Sequence, residues 1–149
     1  MSELLAIYDA LAAVQVPVDG AIVRVKNVTE LPESVAAADC PVRLLMPWGE
    51  RTGTSAMSVI SLGGMSQAEW QIVDLLLLRP AQADKLKTAA AAVVRYMRDY
   101  SIALARTRTL AGAVILNPVK LTSGVGEYPK GGPAWFGVEA SLTVRETWR

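Results

Sequence analysis

The sequence of 149 residues contains no histidine and a single cysteine, Cys40. Without histidine the chain cannot form a Ser-His-Asp or Cys-His catalytic site, and it lacks the most common general base at neutral pH. Histidine-ligated zinc is excluded for the same reason. One cysteine allows neither an internal disulfide nor a cysteine metal cluster. These absences weigh against the familiar types of enzyme.

Long apolar runs are also missing, since none reaches the ~20 residues that a membrane-spanning helix needs. The first residues do not join a basic region to an apolar core, so we expect no secretion signal and synthesis in the cytoplasm. Hydrophobic residues make up 52% of the chain and charged residues 19%, which predicts a globular fold rather than disorder. We expect a single domain over residues 1–149.

The net charge of +1 hides an uneven distribution of charged side chains along the sequence. Residues 1–78 carry four basic and nine acidic side chains, whereas residues 79–108 carry seven basic and two acidic ones. An acidic front half and a basic segment could pair head-to-tail between copies of the chain. The alternative is that the basic side chains are simply solvated. The acidic front half would repel DNA, so a direct nucleic-acid site is not expected.

The most regular pattern lies between Asp84 and Thr107. Apolar side chains recur there every three or four residues, which places them on one face of an amphipathic helix. This apolar stripe consists of Leu86, Ala90, Val93, Met97, Tyr100 and Leu104. At roughly 35 Å such a helix is as long as a small domain, and we expect it to lie across a flat apolar sheet.

Strand patterns flank the helix on both sides. They predict strands at 21–28, 41–46, 57–62, 69–78, 113–121 and 136–148. The pair Gly63-Gly64 marks a hairpin turn, and the Gly- and Pro-rich stretch 122–133 is predicted to be a loop. The predicted fold class is α+β: a mostly antiparallel sheet with a long central helix over about 84–107 and a short N-terminal helix packed on it.

One carboxylate, Asp74, interrupts the apolar strand 69–78. A strand covered on both sides should not hold an unpaired charge. Asp74 could be a tuned acid or base, but an ion pair with Arg79 or another basic group, or a position at an edge of the sheet, is the favoured interpretation, because no second catalytic residue type lies near it. No phosphate-binding or dinucleotide motif is present. We therefore predict no catalytic residues, no cofactor and no metal, and do not expect an enzyme.

The order of these elements and the end of the chain resemble a known family. A short helix, several strands, a long helix and two final strands are similar to the tail terminator (tail completion) proteins of long-tailed bacteriophages. The sequence FGVEASLTVRE, Phe136–Glu146, resembles the way in which these and related neck proteins end. The Gly-rich stretch Gly124–Pro133 before it fits the same pattern.

The resemblance implies a structural virion protein in the tail or neck, forming a homo-oligomeric ring of about six copies. Such a ring would cap the tail tube, end tube polymerisation and join the tail to the head or neck. Its partners would be the tail tube protein and the head–tail connector, and DNA would pass through the lumen without specific contacts. The alternatives are another neck or head-closure ring protein and, from a different class, a small α+β ligand-binding protein or enzyme.

The candidate interface residues lie on two loops, a hairpin tip and the long helix. Contacts to the tube or to a neighbouring subunit are predicted for Trp48, Glu50, Arg51, Met65, Tyr128, Lys130 and Trp135. Pairing with acidic groups of a neighbour is predicted for Arg95, Arg98 and Arg106.

Overall fold

The computed structural model describes residues 2–47, 57–82, 86–129 and 131–148. In these ranges the helices are α1 (Ser2–Ala12) and α2 (Leu86–Thr107), with short 3-10 turns at Val28–Glu30 and Ala37–Asp39. The strands are β1 (Arg24–Lys26), β2 (Val42–Met46), β3 (Met57–Leu62), β4 (Met65–Pro80), β5 (Thr109–Leu110), β6 (Ala113–Glu127) and β7 (Ala134–Trp148).

The seven strands of the described residues form one sheet in the order β1-β2-β4-β7-β6-β5, and β3 also pairs with β4. The β1–β2 pair is parallel and the other pairs are antiparallel. The β3–β4 hairpin turns at Gly63 and Gly64, as predicted. Both glycines have positive φ, a conformation that most other residues avoid. Strand β4 is central, with β7 on one side and β2 and β3 end to end on the other.

The predicted fold class, an α+β layer with a long central helix packed on an antiparallel sheet, is wrong. Of the described residues, 46% are in strands and 30% in helices. The sheet curls into a half barrel, and the structure also contains the two helices. Two causes explain the error. Segments interpreted as turn or loop belong to long strands, and the twist of long strands curls a sheet that was expected to be flat.

The largest of these errors concerns the predicted loop 122–133. Strand β6 continues through it to Glu127, pairing with β7 from Thr122 opposite Glu139 to Glu127 opposite Ala134. Gly124 and Gly126, which helped to suggest a loop, lie within β6, while Gly131 and Gly132 lie in the connection between β6 and β7. A side chain at Gly137 would place its Cβ 2.2 Å from the carbonyl oxygen of Leu76, so glycine is what allows β7 to approach β4 here.

The buried stripe of α2 also differs from the predicted one. Val93, Tyr100 and Leu104 are buried as predicted, but Leu86 and Ala90 are exposed and Met97 is only half-buried. Ala89, Ala92 and Tyr96 are buried instead, which rotates the contact face of the helix. Tyr96 and Tyr100 thereby lie side by side in the core, with ring centroids 5.8 Å apart.

The two faces of the sheet are covered differently. Alternate residues of β4 point to opposite sides. Ile72 and Leu76 join the core formed with α1 and α2, which we call the helix-covered face. Val73, Leu75 and Leu77 join a second core with Leu31, Val35, Tyr128 and Trp135, which we call the segment-covered face because the irregular stretch 27–41 lies over it.

Candidate assembly surface and the buried ion pair

A buried ion pair lies between the sheet and the two helices. Arg43 on β2 and Asp74 on β4 are each only 1% exposed. The guanidinium donates from Nη2 to Oδ2 of Asp74 at 2.5 Å and from Nε to Oδ1 at 3.2 Å. This two-pronged geometry gives strong, directional hydrogen bonds between charged groups. Asp74 therefore has the structural basic partner that was favoured for it, and that partner is Arg43 rather than Arg79.

Arg43 also completes the end of helix α1. Its Nη1 donates to the carbonyl oxygen of Val14 at 2.7 Å, and its Nη2 reaches that of Leu11 at 3.4 Å. The last carbonyl groups of a helix have no partners within the helix, and burying them without donors is costly. Arg43 thus ties α1 to the sheet. A lone arginine in the apolar sequence PVRLLM was the signal for this role, and sequence reasoning missed it.

Helix α2 joins the same cluster through Tyr100. Its hydroxyl donates to Oδ2 of Asp74 at 2.9 Å, and the guanidinium carbon of Arg43 lies 5.8 Å from the centre of its ring. Burial first, and the negative charge of Asp74 second, raise the pKa of Tyr100. Burial acts against the charge of Arg43, but the neighbouring Asp74 outweighs it and raises the pKa of Arg43. Tyrosine therefore stays neutral here and arginine stays charged.

Tyr96 lies one turn before Tyr100 but differs from it in bonding. Its hydroxyl is buried and has no hydrogen-bond partner among the described residues. Burial and the nearby charge of Asp74 raise the pKa of Tyr96. Arg43, Asp74, Tyr96 and Tyr100 are each at most 2% exposed, so solvent does not reach the cluster. The cluster is therefore buried and neutral in net charge, and it links β2, β4 and α2 through hydrogen bonds.

The predicted contact residues fall into three groups. Trp48, Glu50, Arg51 and Lys130 lie outside the described residues. Met65 is 43% exposed at the β3–β4 hairpin tip and is available for contact. Tyr128 and Trp135 are buried within the chain, at 8% and 3% exposure.

Tyr128 and Trp135 close the segment-covered face. The hydroxyl of Tyr128 donates to the carbonyl oxygen of Pro32 at 2.6 Å, which ties the irregular stretch 27–41 to the β6–β7 hairpin. The indole Nε1 of Trp135 donates to the carbonyl oxygen of Tyr128 at 3.2 Å. Both aromatic side chains therefore hold this chain together rather than offering surface to a partner. Their polar tips explain why they are tolerated in a core.

The three predicted arginines of α2 are exposed, but they are not equivalent. Arg95 lies 3.8 Å from the carboxylate of Asp19 in its own chain. Arg98 and Arg106 form no ion pair with any described residue. The prediction of pairing with a neighbour therefore rests on Arg98 and Arg106, while Arg95 already has an acidic neighbour in its own chain.

The candidate acidic groups lie on the stretch 27–41. Glu30 and Glu33 are exposed there, and neither forms an ion pair with a described residue. Leu31 and Val35 of that stretch pack on the segment-covered face, whereas Val28 and helix α2 pack on the helix-covered face. Acidic side chains of this stretch and basic side chains of α2 therefore lie on different surfaces of the chain, and α2 itself also carries Asp99. Opposite charges on two different surfaces of one chain favour head-to-tail contacts between copies.

An open groove separates α2 from β6. It has a volume of about 690 Å³ and is lined by Ser101, Leu104, Ala105, Arg108, Val114, Ile115, Pro118, Val119 and Leu121. We call it the α2–β6 groove. A smaller cavity of about 120 Å³ lies on the segment-covered face beside Leu75 and Trp135.

Among the described residues, no three His, Cys, Asp or Glu side chains gather closely enough to hold a metal ion. Neither α1 nor α2 has the length and apolar character needed to cross a membrane.

No protein-family model matches the chain, and no curated protein matches it in sequence. The function of the chain is therefore inferred from its own geometry and from the resemblance of its sequence.

Proposed function

We propose that this protein is a structural subunit of a closed ring that caps the tail tube of a long-tailed bacteriophage. In this role the ring, of about six copies, ends tube polymerisation and provides the surface to which the head or neck attaches. DNA passes through its lumen without specific contacts. The protein then belongs to the virion, and its partners are the tube protein and the head–tail connector.

The observation that carries the proposal is that acidic and basic side chains without ion pairs among the described residues lie on different surfaces of the chain. Glu30 and Glu33 lie on the stretch 27–41, whose Leu31 and Val35 cover one face of the sheet, and Arg98 and Arg106 lie on α2, which covers the other. A head-to-tail contact joins two different surfaces of the same chain, and it produces a ring when the rotation between neighbours closes. Opposite charges on those surfaces orient and steer such an encounter. The order of the elements, helix, strands, helix and strands, also fits the resemblance.

The first experiment measures the mass of the purified protein in solution and images the same sample by negative stain, alone and mixed with tail tubes. We expect rings of about six subunits that bind only at tube ends. A stable dimer that ignores tubes would contradict the proposal. It would favour the second class of function, a small ligand-binding protein or enzyme.

A charge exchange tests the contact itself. Changing Arg98 and Arg106 to glutamate should prevent assembly, because it places like charges against Glu30 and Glu33 of the neighbour. Adding Glu30→Arg and Glu33→Arg to the same chain should restore it. Lys120→Glu, an exposed charge change on β6, serves as the matched control and should assemble normally. Unchanged assembly of the first variant at low salt would mean that the helix surface is merely solvated.

A ring that caps the tube and a ring elsewhere in the neck would both form this contact between subunits. Binding to tail tubes therefore distinguishes the two functions. The exposed tip of the β3–β4 hairpin offers a direct probe, because Met65 protrudes there. Met65→Glu should leave ring formation intact and weaken attachment to the tube end. Rings that bind isolated connectors but never tubes would favour the head-closure alternative.

A further inference from the structure

The outer edge of β6 is open along much of its length. On that edge β5 pairs with β6 only at Val114 and Ala113. From Lys120 to Gly126, strand β6 pairs with β7 in regular register, and no other described strand pairs with its outer side. At ~3.4 Å per residue, seven residues present roughly 24 Å of unpaired backbone donors and acceptors.

Proteins usually protect such an edge with a proline, a bulge or a charge. These devices occur in β6, but they cluster in its first half, where Pro118 lies within the irregular register between Leu116 and Lys120. Beyond Lys120 the edge runs through residues that do nothing to block pairing. Val125 is 60% exposed there. The backbone donors and acceptors on the second half of the edge are thus available to pair with a further strand.

The α2–β6 groove adjoins the start of this edge, because its lining on β6 runs from Val114 to Leu121 and the open edge begins at Lys120. Val119 and Leu121 pack against the core of the helix-covered face and line the groove together with Leu104 of α2. A segment that pairs with the open edge and continues past Lys120 lies over the groove, and every second side chain of that continuation enters it. A volume of about 690 Å³ is within the range of pockets that hold small ligands, and it accommodates several apolar side chains.

The charge of the groove selects among extended segments. Arg108 lines the groove and forms no ion pair with any described residue. No acidic side chain is among the described residues that line the groove. A segment that carries a carboxylate near this end is therefore complementary, while a basic segment is repelled.

We propose that the α2–β6 groove binds an extended segment of another protein, which adds to the outer edge of β6 as a further strand. The segment carries apolar side chains at alternate positions and a carboxylate that faces Arg108. Backbone hydrogen bonds to β6 provide affinity, and the groove provides selectivity. This site is separate from the ring contact, which uses Arg98, Arg106, Glu30 and Glu33.

The test is a selection from a library of random octapeptides displayed against the full-length chain. Enriched sequences are expected to alternate apolar and polar residues and to contain an acidic residue near one end. With one enriched peptide synthesised, hydrogen exchange should slow at alternate amides between Val119 and Gly126. No enrichment, or enriched peptides that are basic or have helical spacing, would overturn the proposal.

Matched variants locate the site. Ala105→Trp fills the groove and Arg108→Glu reverses its charge, and each should weaken the peptide at least tenfold. Ala91→Trp and Arg98→Glu make the same changes at exposed positions of α2 outside the groove and should bind normally. Circular dichroism confirms folding of each variant. Equal binding by all four variants would overturn the proposal, and normal binding by Arg98→Glu keeps the result independent of ring assembly.

Discussion

The helix-covered and segment-covered faces of the same sheet satisfy their buried polar groups in different ways. On the helix-covered face a charged pair, Arg43 and Asp74, lies fully inside the protein and is bonded to Tyr100. On the segment-covered face the bonds are between neutral groups, from Tyr128 to the Pro32 carbonyl and from Trp135 to the Tyr128 carbonyl. Both faces are apolar cores of similar residue types, so composition does not explain the difference.

The difference follows from what covers each face. Helix α1 ends against the helix-covered face, where the carbonyl oxygen of Val14 accepts from Arg43 and that of Leu11 accepts from Arg43 as well as from the Val14 N–H. An arginine has several donors in a fixed fork and can serve both carbonyls, but its charge must then be compensated, which Asp74 does. The irregular stretch over the other face ends no long helix, and single neutral donors suffice. A buried charge thus marks the end of an element rather than a reactive site.

The largest expected effect on stability comes from alkaline pH, and it arises mainly from the helix-covered face. Burial raises the pKa of Tyr8, Tyr96 and Tyr100 above the ordinary value of 10.0. An unfolded chain therefore releases protons above pH 10 that the folded chain keeps. These groups leave stability unchanged below pH ~9. Above pH 10 the free energy of unfolding should fall by about 1.4 kcal/mol per pH unit for each tyrosine.

Urea unfolding between neutral pH and pH 11 measures this fall. Tyr100→Phe should make the pH dependence shallower by about 1.4 kcal/mol per unit. On the other face, burial and then the charge of Asp39 raise the pKa of Cys40 to about 11. Cys40→Ser should therefore remove a smaller loss that begins near pH 9. An unchanged slope in the Tyr100 variant would contradict the assignment to the helix-covered face.

Breaking the ion pair should have the next largest effect. Arg43→Met leaves Asp74 buried without its arginine partner and removes the side-chain donor to the carbonyl oxygen of Val14, just past the end of α1. We expect a loss of about 3–5 kcal/mol in the free energy of unfolding. Adding Asp74→Leu should recover part of this loss, because the unpaired charge is then gone. The control is Arg24→Met, since Arg24 forms only an exposed contact of 4.0 Å with Asp39 and should cost at most about 1 kcal/mol. Equal losses for both arginines would contradict the distinction.

The parts of the fold that were predictable are those whose pattern is local. The alternation from Phe136 to Trp148 matches strand β7, and the Gly63-Gly64 turn matches a hairpin. The strand over 122–127 was not predictable in this way, because Gly124 and Gly126 suggested a turn, whereas in the structure both pair with β7 inside a regular strand. The curl of the sheet was missed because it arises from twist accumulated over strands distant in sequence.

The candidate site shows the same limit. A charge on a helix surface is visible in sequence, so Arg98 and Arg106 were identified, but only the structure shows that Arg95 lies beside Asp19. Tyr128 and Trp135 were interpreted as contact residues because a Gly-rich neighbourhood suggested an exposed loop. In the structure β6 and β7 pair through that neighbourhood, and the pairing turns both aromatic side chains inward. Burial depends on which strands pair, and spacing alone does not reveal it.

The smallest effects come from removing single hydroxyl groups, and they sharpen the comparison most. Tyr100→Phe removes a bond to a buried carboxylate and should cost about 1.5–3 kcal/mol, whereas Tyr128→Phe removes a bond to a neutral carbonyl and should cost about 0.5–1.5 kcal/mol. Tyr96→Phe removes a buried hydroxyl that has no protein partner, so stability should stay the same or rise. Urea unfolding at neutral pH ranks the three. If Tyr96→Phe costs as much as Tyr100→Phe, the Tyr96 hydroxyl has a partner, such as a bound water, and the helix-covered face is more polar than the side-chain contacts indicate.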